Sequence, residues 1–461
     1  MIGGLLKSSS KLALMAAAGI LVGGVSMGSA KAADLGGDCC ADLEERVAEL
    51  EATTARKGNR KVSLTISGQV DKQIMYMRDD VRSRTIAGVD NINNSSRFIF
   101  SGNAKITSSV TAGFEFMVEW NGSSRSDLIN QTSTDRHNSP ILDASNISGD
   151  GSLAVRTANW WLEDKVLGRV TVGRVNIQGP ASIIDISGGD VQLVAWSNPT
   201  LQGGGMFLAN KANGLFATNT LGQILNYCYG CSREEGIRYD SASFAGLTFG
   251  AFWGEQDRFT VQARYAAEFG GFQIAAGAGY QHDNNLAGFL ATTAPGARTD
   301  VEQQAYALSL KHVASGIFVQ GNTGRTNWKM FSGDATGGKN DGTMWQVQAG
   351  IAKNWFGPGV TAFYGEIGHG QGYADGASTT TAATLPAAGN VFSSKLGGTF
   401  IASSSSDYYG LGMTQKIDAA AMTMYLGWRH FDVDVTTGGA GGGAQSISGI
   451  DTVIGGARIA F

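Results

Sequence analysis

The chain has 461 residues and a formal net charge of −4, with 66 Gly, only 6 Pro, 4 Cys and 43% hydrophobic side chains. Scarce Pro and this apolar content exclude a collagen-like or disordered chain. Charge of this sign disfavours nucleic acid as a partner, and four cysteines are too few for a disulfide scaffold. No stretch reaches the roughly 18 apolar residues of a spanning helix, so any membrane span has to be built from strands.

Residues 1–32 read as a secretory signal: Lys7 and Lys11 form the basic start, Leu12–Val25 the apolar core, and Ala30-Lys31-Ala32 the small-residue cleavage site. Removing Lys7, Lys11 and Lys31 takes the net charge from −4 to about −7. Residues 33–60 form a leader whose segment Ala41–Glu51 is predicted helical. Leu43, Val47, Leu50 and Thr54 keep the 4-3-4 spacing of a coiled-coil seam, and Cys40 falls on the same seam. Two heptads do not associate stably alone, so self-association requires copies already held together. A solvated amphipathic leader is the other reading. Cys39 and Cys40 either pair between subunits or stand as idle thiols.

From Lys61 the period changes to two. Val62, Leu64, Ile66 and Val70 share one face, with Ser63, Thr65, Ser67 and Gln69 on the other. The same alternation runs through Arg97–Ile106 and Ala112–Trp120. Sixteen strands are predicted: 61–77, 96–106, 111–120, 153–163, 169–174, 235–241, 247–253, 258–268, 272–280, 302–313, 317–322, 343–353, 360–367, 406–416, 421–431 and 450–461. Connections after even strands are short and those after odd strands mostly long and polar; Gly254–Asp257 departs from the trend. A soluble sandwich has no reason to sort loop length by parity. A transmembrane barrel does, with an even strand number. Trp120, Tyr265, Tyr280, Tyr306, Trp345, Tyr409, Trp428 and Phe461 lie on the apolar faces near strand ends, where aromatic girdles sit. The chain ends flush with its last strand at Phe461, which fits a barrel closed by pairing first strand to last. The predicted fold is therefore an all-β, sixteen-stranded antiparallel transmembrane barrel over 61–461, entered from a short periplasmic helix.

One interruption stands out. About sixty residues, 175–234, separate the fifth and sixth strands and carry Gly and Pro turns, the apolar piece Ala181–Ile186, the acids Asp185 and Asp190, and Cys228-Tyr-Gly-Cys231. A loop that long inside a compact domain is usually functional, and it is predicted to fold into the barrel and narrow it. Cys228 and Cys231 have the spacing of a redox or half-zinc motif, but no second such pair and no helix follows. A local disulfide pinning the loop is the expectation, with no metal and no cofactor.

The segment Asp38-Cys-Cys-Ala-Asp-Leu-Glu-Glu-Arg-Val-Ala-Glu-Leu-Glu51, running into Lys61-Val-Ser-Leu-Thr-Ile-Ser-Gly-Gln-Val70, resembles the amino-terminal signature of alphaproteobacterial porins. Phe461 is similar to the carboxyl-terminal assembly signal of outer-membrane proteins, which implies contact with the barrel-assembly machinery. The resemblance implies a homotrimer of barrels in the outer membrane of a Gram-negative bacterium. Each barrel has a water-filled pore constricted by its third loop and passes ions and small hydrophilic solutes passively. It also suggests that Asn121–Gly151 reaches over a neighbouring barrel. In general porins, wall arginines face loop acids. The matching positions are Arg97 in Ser-Arg-Phe-Ile-Phe-Ser-Gly, Arg156 in Val-Arg-Thr-Ala-Asn-Trp-Trp-Leu and Arg238 in Ile-Arg-Tyr-Asp, with Asp185 and Asp190 as the acids. The chain departs from enterobacterial porins in lacking their Pro-Glu-Phe-Gly stretch. Opposed charges across a narrow aqueous gap order water and set ion preference; the alternative for each arginine is a salt bridge that only braces the loop. Glu115, Glu119, Arg174, Lys105 and Arg458 are further pore-lining candidates, and the facing of Arg156 is ambiguous because Trp160 and Trp161 cannot both point to lipid.

Three other functions compete. His137, His282, His312, His369 and His430 are scattered, with no Gly-x-Ser-x-Gly or His-Glu-x-x-His pattern, so no catalytic residue is assigned. A substrate-specific channel would use Trp196, Phe207, Phe216 and Tyr227 as a sugar slide. An adhesin or structural barrel would use the long loops and conduct little.

Overall fold

The structure, a computed structural model, describes residues 62–122, 124–131, 153–177, 184–212, 214–225, 233–255, 258–283, 299–330, 341–376, 379 and 396–461. The expected signal sequence, the leader helix with Cys39 and Cys40, and the pair Cys228 and Cys231 lie outside the described residues.

Sixteen strands form one antiparallel ring: β1 (Thr65–Arg78), β2 (Arg97–Lys105), β3 (Val110–Trp120), β4 (Leu153–Asp164), β5 (Gly168–Asn176), β6 (Arg233–Asp240), β7 (Leu247–Gly254), β8 (Phe259–Phe269), β9 (Phe272–Asp283), β10 (Thr299–His312), β11 (Ile317–Met330), β12 (Asp341–Lys353), β13 (Thr361–Gln371), β14 (Phe400–Ile417), β15 (Met422–Gly438) and β16 (Ile450–Ala460). Each pairs with its sequence neighbour, and β16 pairs with β1 from Gln69↔Ala460 to Arg78↔Asp451. The seam is finished by the chain end: Gly68 N–H donates to the Phe461 carbonyl (2.9 Å) and Phe461 N–H donates back to the Gly68 carbonyl (3.0 Å). A side chain at residue 68 would meet the Arg97 carbonyl at 2.5 Å and the Phe461 ring at 2.8 Å, so only glycine lets the terminal aromatic lie there.

The ring is apolar outside and polar inside. Leu308, Leu411, Ile367 and Leu426 are 61, 58, 52 and 51% exposed, while Gln346, Gln348, Glu366 and Arg429 are at most 4% exposed. In water this inversion would forfeit the hydrophobic gain on every strand; against lipid it is the favourable arrangement. Tyr306, Trp345 and Tyr409 stand on the same outer face as the aliphatic residues. Two short additions extend the ladders: Ser83–Asp90 folds back on the upper half of β1, and Gly443–Gln445 pairs with the upper part of β15.

Candidate pore constriction

The segment between β5 and β6 is organised. It runs through two 3-10 turns, Val191–Leu193 and Pro199–Leu201, into a hairpin of Phe207–Asn210 and Leu215–Thr220, then one helical turn, Leu221–Ile224. Thr220 and Gln223 form a capping box on that turn, satisfying its first free N–H groups.

Inward side chains of the wall hold this segment by its backbone. Ser309 Oγ donates to the Ile184 carbonyl (2.6 Å), Gln348 Nε2 to Ala195 (2.8 Å), Gln346 Nε2 to Ser197 (2.9 Å) and Arg429 Nη1 to Pro199 (2.7 Å). Nearer β1, Gln73 Nε2 donates to Gln202 Oε1 and Gln202 Nε2 to Asn91 Oδ1, each at 2.7 Å. These wall side chains sit on β10, β12, β15 and β1, so the part of the segment from Ile184 to Gln202 lies on the wall opposite β5. Burial follows the same division. Inward residues such as Gln320, Tyr408, Tyr425 and Phe431 are buried, and with Leu193, Met206, Leu208 and Leu221 the apolar ones form a continuous core. Glu366 and Arg429 are buried as a pair beneath it, Arg429 Nε donating to Glu366 Oε1 at 2.9 Å. Such a buried pair survives because each charge has the other and the guanidinium gains a carbonyl acceptor.

The predicted arginines line the other wall. Arg97 on β2 donates from Nε to the Ser95 carbonyl (2.9 Å) and from Nη2 to Asn94 Oδ1 (2.6 Å). Arg156 is paired with Glu119, and Glu119 also accepts from Ser95 Oγ at 2.6 Å. Its facing is settled by a β-bulge. Met117 pairs with Thr157 but Val118 with Val155, so Arg156 is the extra residue of β4. Val155 and Trp160 then both face lipid, while Arg156 and Thr157 both turn inward, Thr157 Oγ1 reaching Glu115 at 2.7 Å. Trp161 turns inward too and carries the Arg169 guanidinium 4.2 Å above its ring. Arg238 grips Asp240 on its own strand through Nε (2.8 Å) and Nη2 (2.7 Å).

The loop acids lie elsewhere than the resemblance implies. Asp190, in the left-handed region (φ 58°), accepts from Arg458 Nη2 (2.7 Å) and Thr423 Oγ1 (2.8 Å), with Lys416 Nζ at 3.6 Å. Asp185 is taken up by its own loop, accepting from the N–H groups of Ser187 (2.9 Å) and Gln192 (3.2 Å). Neither is paired with Arg97, Arg156 or Arg238. The physical reason is reach: the loop crosses far enough that its tip meets the cations of β14 and β16. Arg458 therefore lies at the loop's dock. Arg174, half-buried near the end of β5, stands opposite Glu235 in the register of β5 and β6. Lys105 is exposed at the β2 end, beside the short turn. Of the residues proposed for a sugar slide, Phe207 and Phe216 are buried with Ala209 in the hairpin's own core, Trp196 is half-buried, and Tyr227 lies outside the described residues.

Sequence reasoning missed the dock. Gln73, Gln346, Gln348, Thr423 and Arg429 were all readable as inward by parity, but nothing local says that a loop from β5 will cover them.

A lipid-girdled closed barrel with a polar interior and a loop laid across it is an outer-membrane channel. A family model described as Gram-negative porin matches residues 13–385, and the chain belongs to that family. Among solved structures the chain is similar to an anion-selective porin from Comamonas acidovorans (16% identity, 87% of this chain and 100% of that one, TM-score 0.49). It is also similar to OmpT, an outer membrane protein of Vibrio cholerae (12%, 88% and 99%, TM-score 0.46), and to Salmonella typhi OmpF in complex with daunomycin (15%, 87% and 98%, TM-score 0.46). No curated protein matches.

Proposed function

We propose that the protein is a general diffusion porin of alphaproteobacterial type, not an enzyme, that assembles as a homotrimer and passes ions and small hydrophilic solutes. On this reading each path runs between the docked loop and the β2–β8 wall. The supporting observation is the division of the lumen: one wall buried under the loop, the other lined by Arg97, Arg156, Arg238, Glu115 and Glu119, all of them only partly covered. Among these arginines Arg156 and Arg238 each carry a carboxylate partner, whereas Arg97 has only uncharged hydrogen-bond partners among the described residues. With no carboxylate in direct contact, Arg97 keeps more of its charge for the aqueous gap than Arg156 or Arg238 does, so it weighs most on ion preference.

Single-channel recording in a planar bilayer with asymmetric salt tests this. Closures in thirds are expected of a trimer. Arg97→Gln shifts the reversal potential toward cations, and Arg238→Gln shifts it less because Asp240 already offsets that charge. Equal shifts would remove Arg97 from its special place. A folded protein without conductance would make the docked loop a plug and favour an adhesin or structural role.

A further inference from the structure

The outer faces of β13–β16 carry titratable side chains that the channel reading leaves unused. They begin just above the aromatic level set by Tyr409 and Trp428. His430 on β15 has Nδ1 2.9 Å from Asp451 Oδ1 on β16 and Nε2 3.3 Å from Asp432 Oδ1 on its own strand. His369 Nδ1 on β13 is 2.8 Å from Asp407 Oδ1 on β14. The register sets Asp407 directly across from Asp432, and Asp434 follows on the same face. Trp428 Nε1 donates to the same Asp451 oxygen at 3.1 Å, and the Tyr409 ring lies 5.3 Å from the His430 ring.

The geometry at His430 favours the protonated ring. An ionised carboxylate only accepts hydrogen bonds, and a neutral imidazole donates from one nitrogen alone. Holding a carboxylate at each nitrogen requires the imidazolium. Its charge also offsets Asp432 against Asp407, since like charges directly opposite on a sheet repel.

This cluster stands at the base of the last loop, 439–449. A side chain at Gly449 would meet His430 Cε1 at 2.8 Å, so the loop's final residue lies on the imidazole. The loop is in turn tied to the hairpin inside the barrel mouth: Ser448 N–H donates to the Ala209 carbonyl (2.8 Å) and Lys211 N–H to the Ser446 carbonyl (2.9 Å). Between them Asn210 and Ile447 form a β-bridge, and Ile447 is buried in the core that contains Leu208, Val433 and Val435.

We propose that His430 is a proton-operated latch: protonated, it clamps Asp432 to Asp451 and keeps the last loop on the third-loop hairpin; deprotonated, it releases both. Loss of the proton leaves one carboxylate facing a ring lone pair and leaves Asp407 and Asp432 opposed. The legs of the loop then part at their base, and the hairpin loses its edge partner at the extracellular mouth. The latch thus couples external pH to loops that border the aqueous path. That last coupling rests on the channel reading; the clamp itself does not.

Amide hydrogen exchange of the full-length protein in detergent, corrected for intrinsic base catalysis, reads the clamp directly. Between pH 6 and pH 9 the wild type should exchange severalfold faster at Ser448 and Lys211, because loss of the imidazole proton removes the clamp that holds the loop. His430→Gln, which cannot be protonated, should be fast at both pH values. His430→Arg, a permanent cation with two-sided donors, should be slow at both. A wild type without a step, or a step that survives in His430→Gln, overturns the latch. In bilayer recordings, brief current interruptions should rise over the same pH range in the wild type alone. An exchange step with unchanged current would confine the latch to the loop and overturn its coupling to the pore. A silent bilayer would instead count against the channel reading, and exchange would still decide the clamp.

Discussion

At the scale of single residues, ion pairs in this barrel divide into those that spend a charge and those that leave one. Asp190 spends its charge: its carboxylate sits against the cations of Arg458 and Lys416 and accepts from the Thr423 hydroxyl, all on the wall where the loop docks. Asp190→Asn keeps the shape and removes the charge. Hydrogen bonds to charged groups contribute about 1.5–3 kcal/mol, and the partial exposure of this site puts the loss toward the lower end. The loss falls on local docking, because the rest of the loop remains held by Gln346, Gln348 and Arg429. Hydrogen exchange at Leu193 and Val194 should speed up severalfold while the global melt barely moves. Reversal potential should shift toward anions, since Arg458 and Lys416 are uncovered. A shift toward cations would mean that Asp190 was not screening them.

At the scale of elements, the strands were legible and their ends were not. All sixteen predicted strands are present, because where one face meets lipid the period-two contrast is strong. Above the lipid band neither face is apolar, and the contrast disappears. Hence β14 begins at Phe400, through the run Ser403–Ser406 that carries no alternation, and β11 continues through Thr323–Asn327 to Met330. The bulge at Arg156 was invisible for a related reason. Its sequence is a regular strand with one residue too many, and only the partner register of β3 shows which one. Deleting Arg156 should therefore restore an even ladder: Leu153 and Val155 stay outside, Thr157 inside, and the protein still folds to a heat-modifiable barrel. With Glu119 uncompensated, its reversal potential should move toward cations. An unfolded deletion variant would show that the bulge, not the guanidinium, is what this position requires. The loop's path was the least legible feature. Phe207 and Phe216 read as candidates for solute contact, and burial in the hairpin core is a tertiary outcome that no local pattern announces.

At the scale of the whole molecule, one fold satisfies two solvents. The outer face is matched to lipid, and the inner face is matched partly to water and partly to the loop, which buries one wall as a protein core would. The two faces should answer differently to the same substitution, and depth should grade the answer on the outside. Leu426 lies between Met424 and Trp428 on the outer face of β15, and its cross-strand partner is Met413; Asp434 lies on the same face eight residues further, beyond the aromatic level. An arginine at the middle of the apolar band costs about 2–4 kcal/mol, falling to about 0–1 kcal/mol near the interface. Leu426→Arg should thus destabilise the vesicle-inserted barrel by an amount in the first range and Asp434→Arg in the second, as measured by guanidinium titration of folding into lipid vesicles. Equal costs at the two positions would mean that the exposed leucines do not face hydrocarbon. A cost at Leu426 alone would fix the upper edge of the membrane between Trp428 and Asp434, at the level of His430. The imidazole then stands in the headgroup zone, where it has access to external protons and the last loop has room to move.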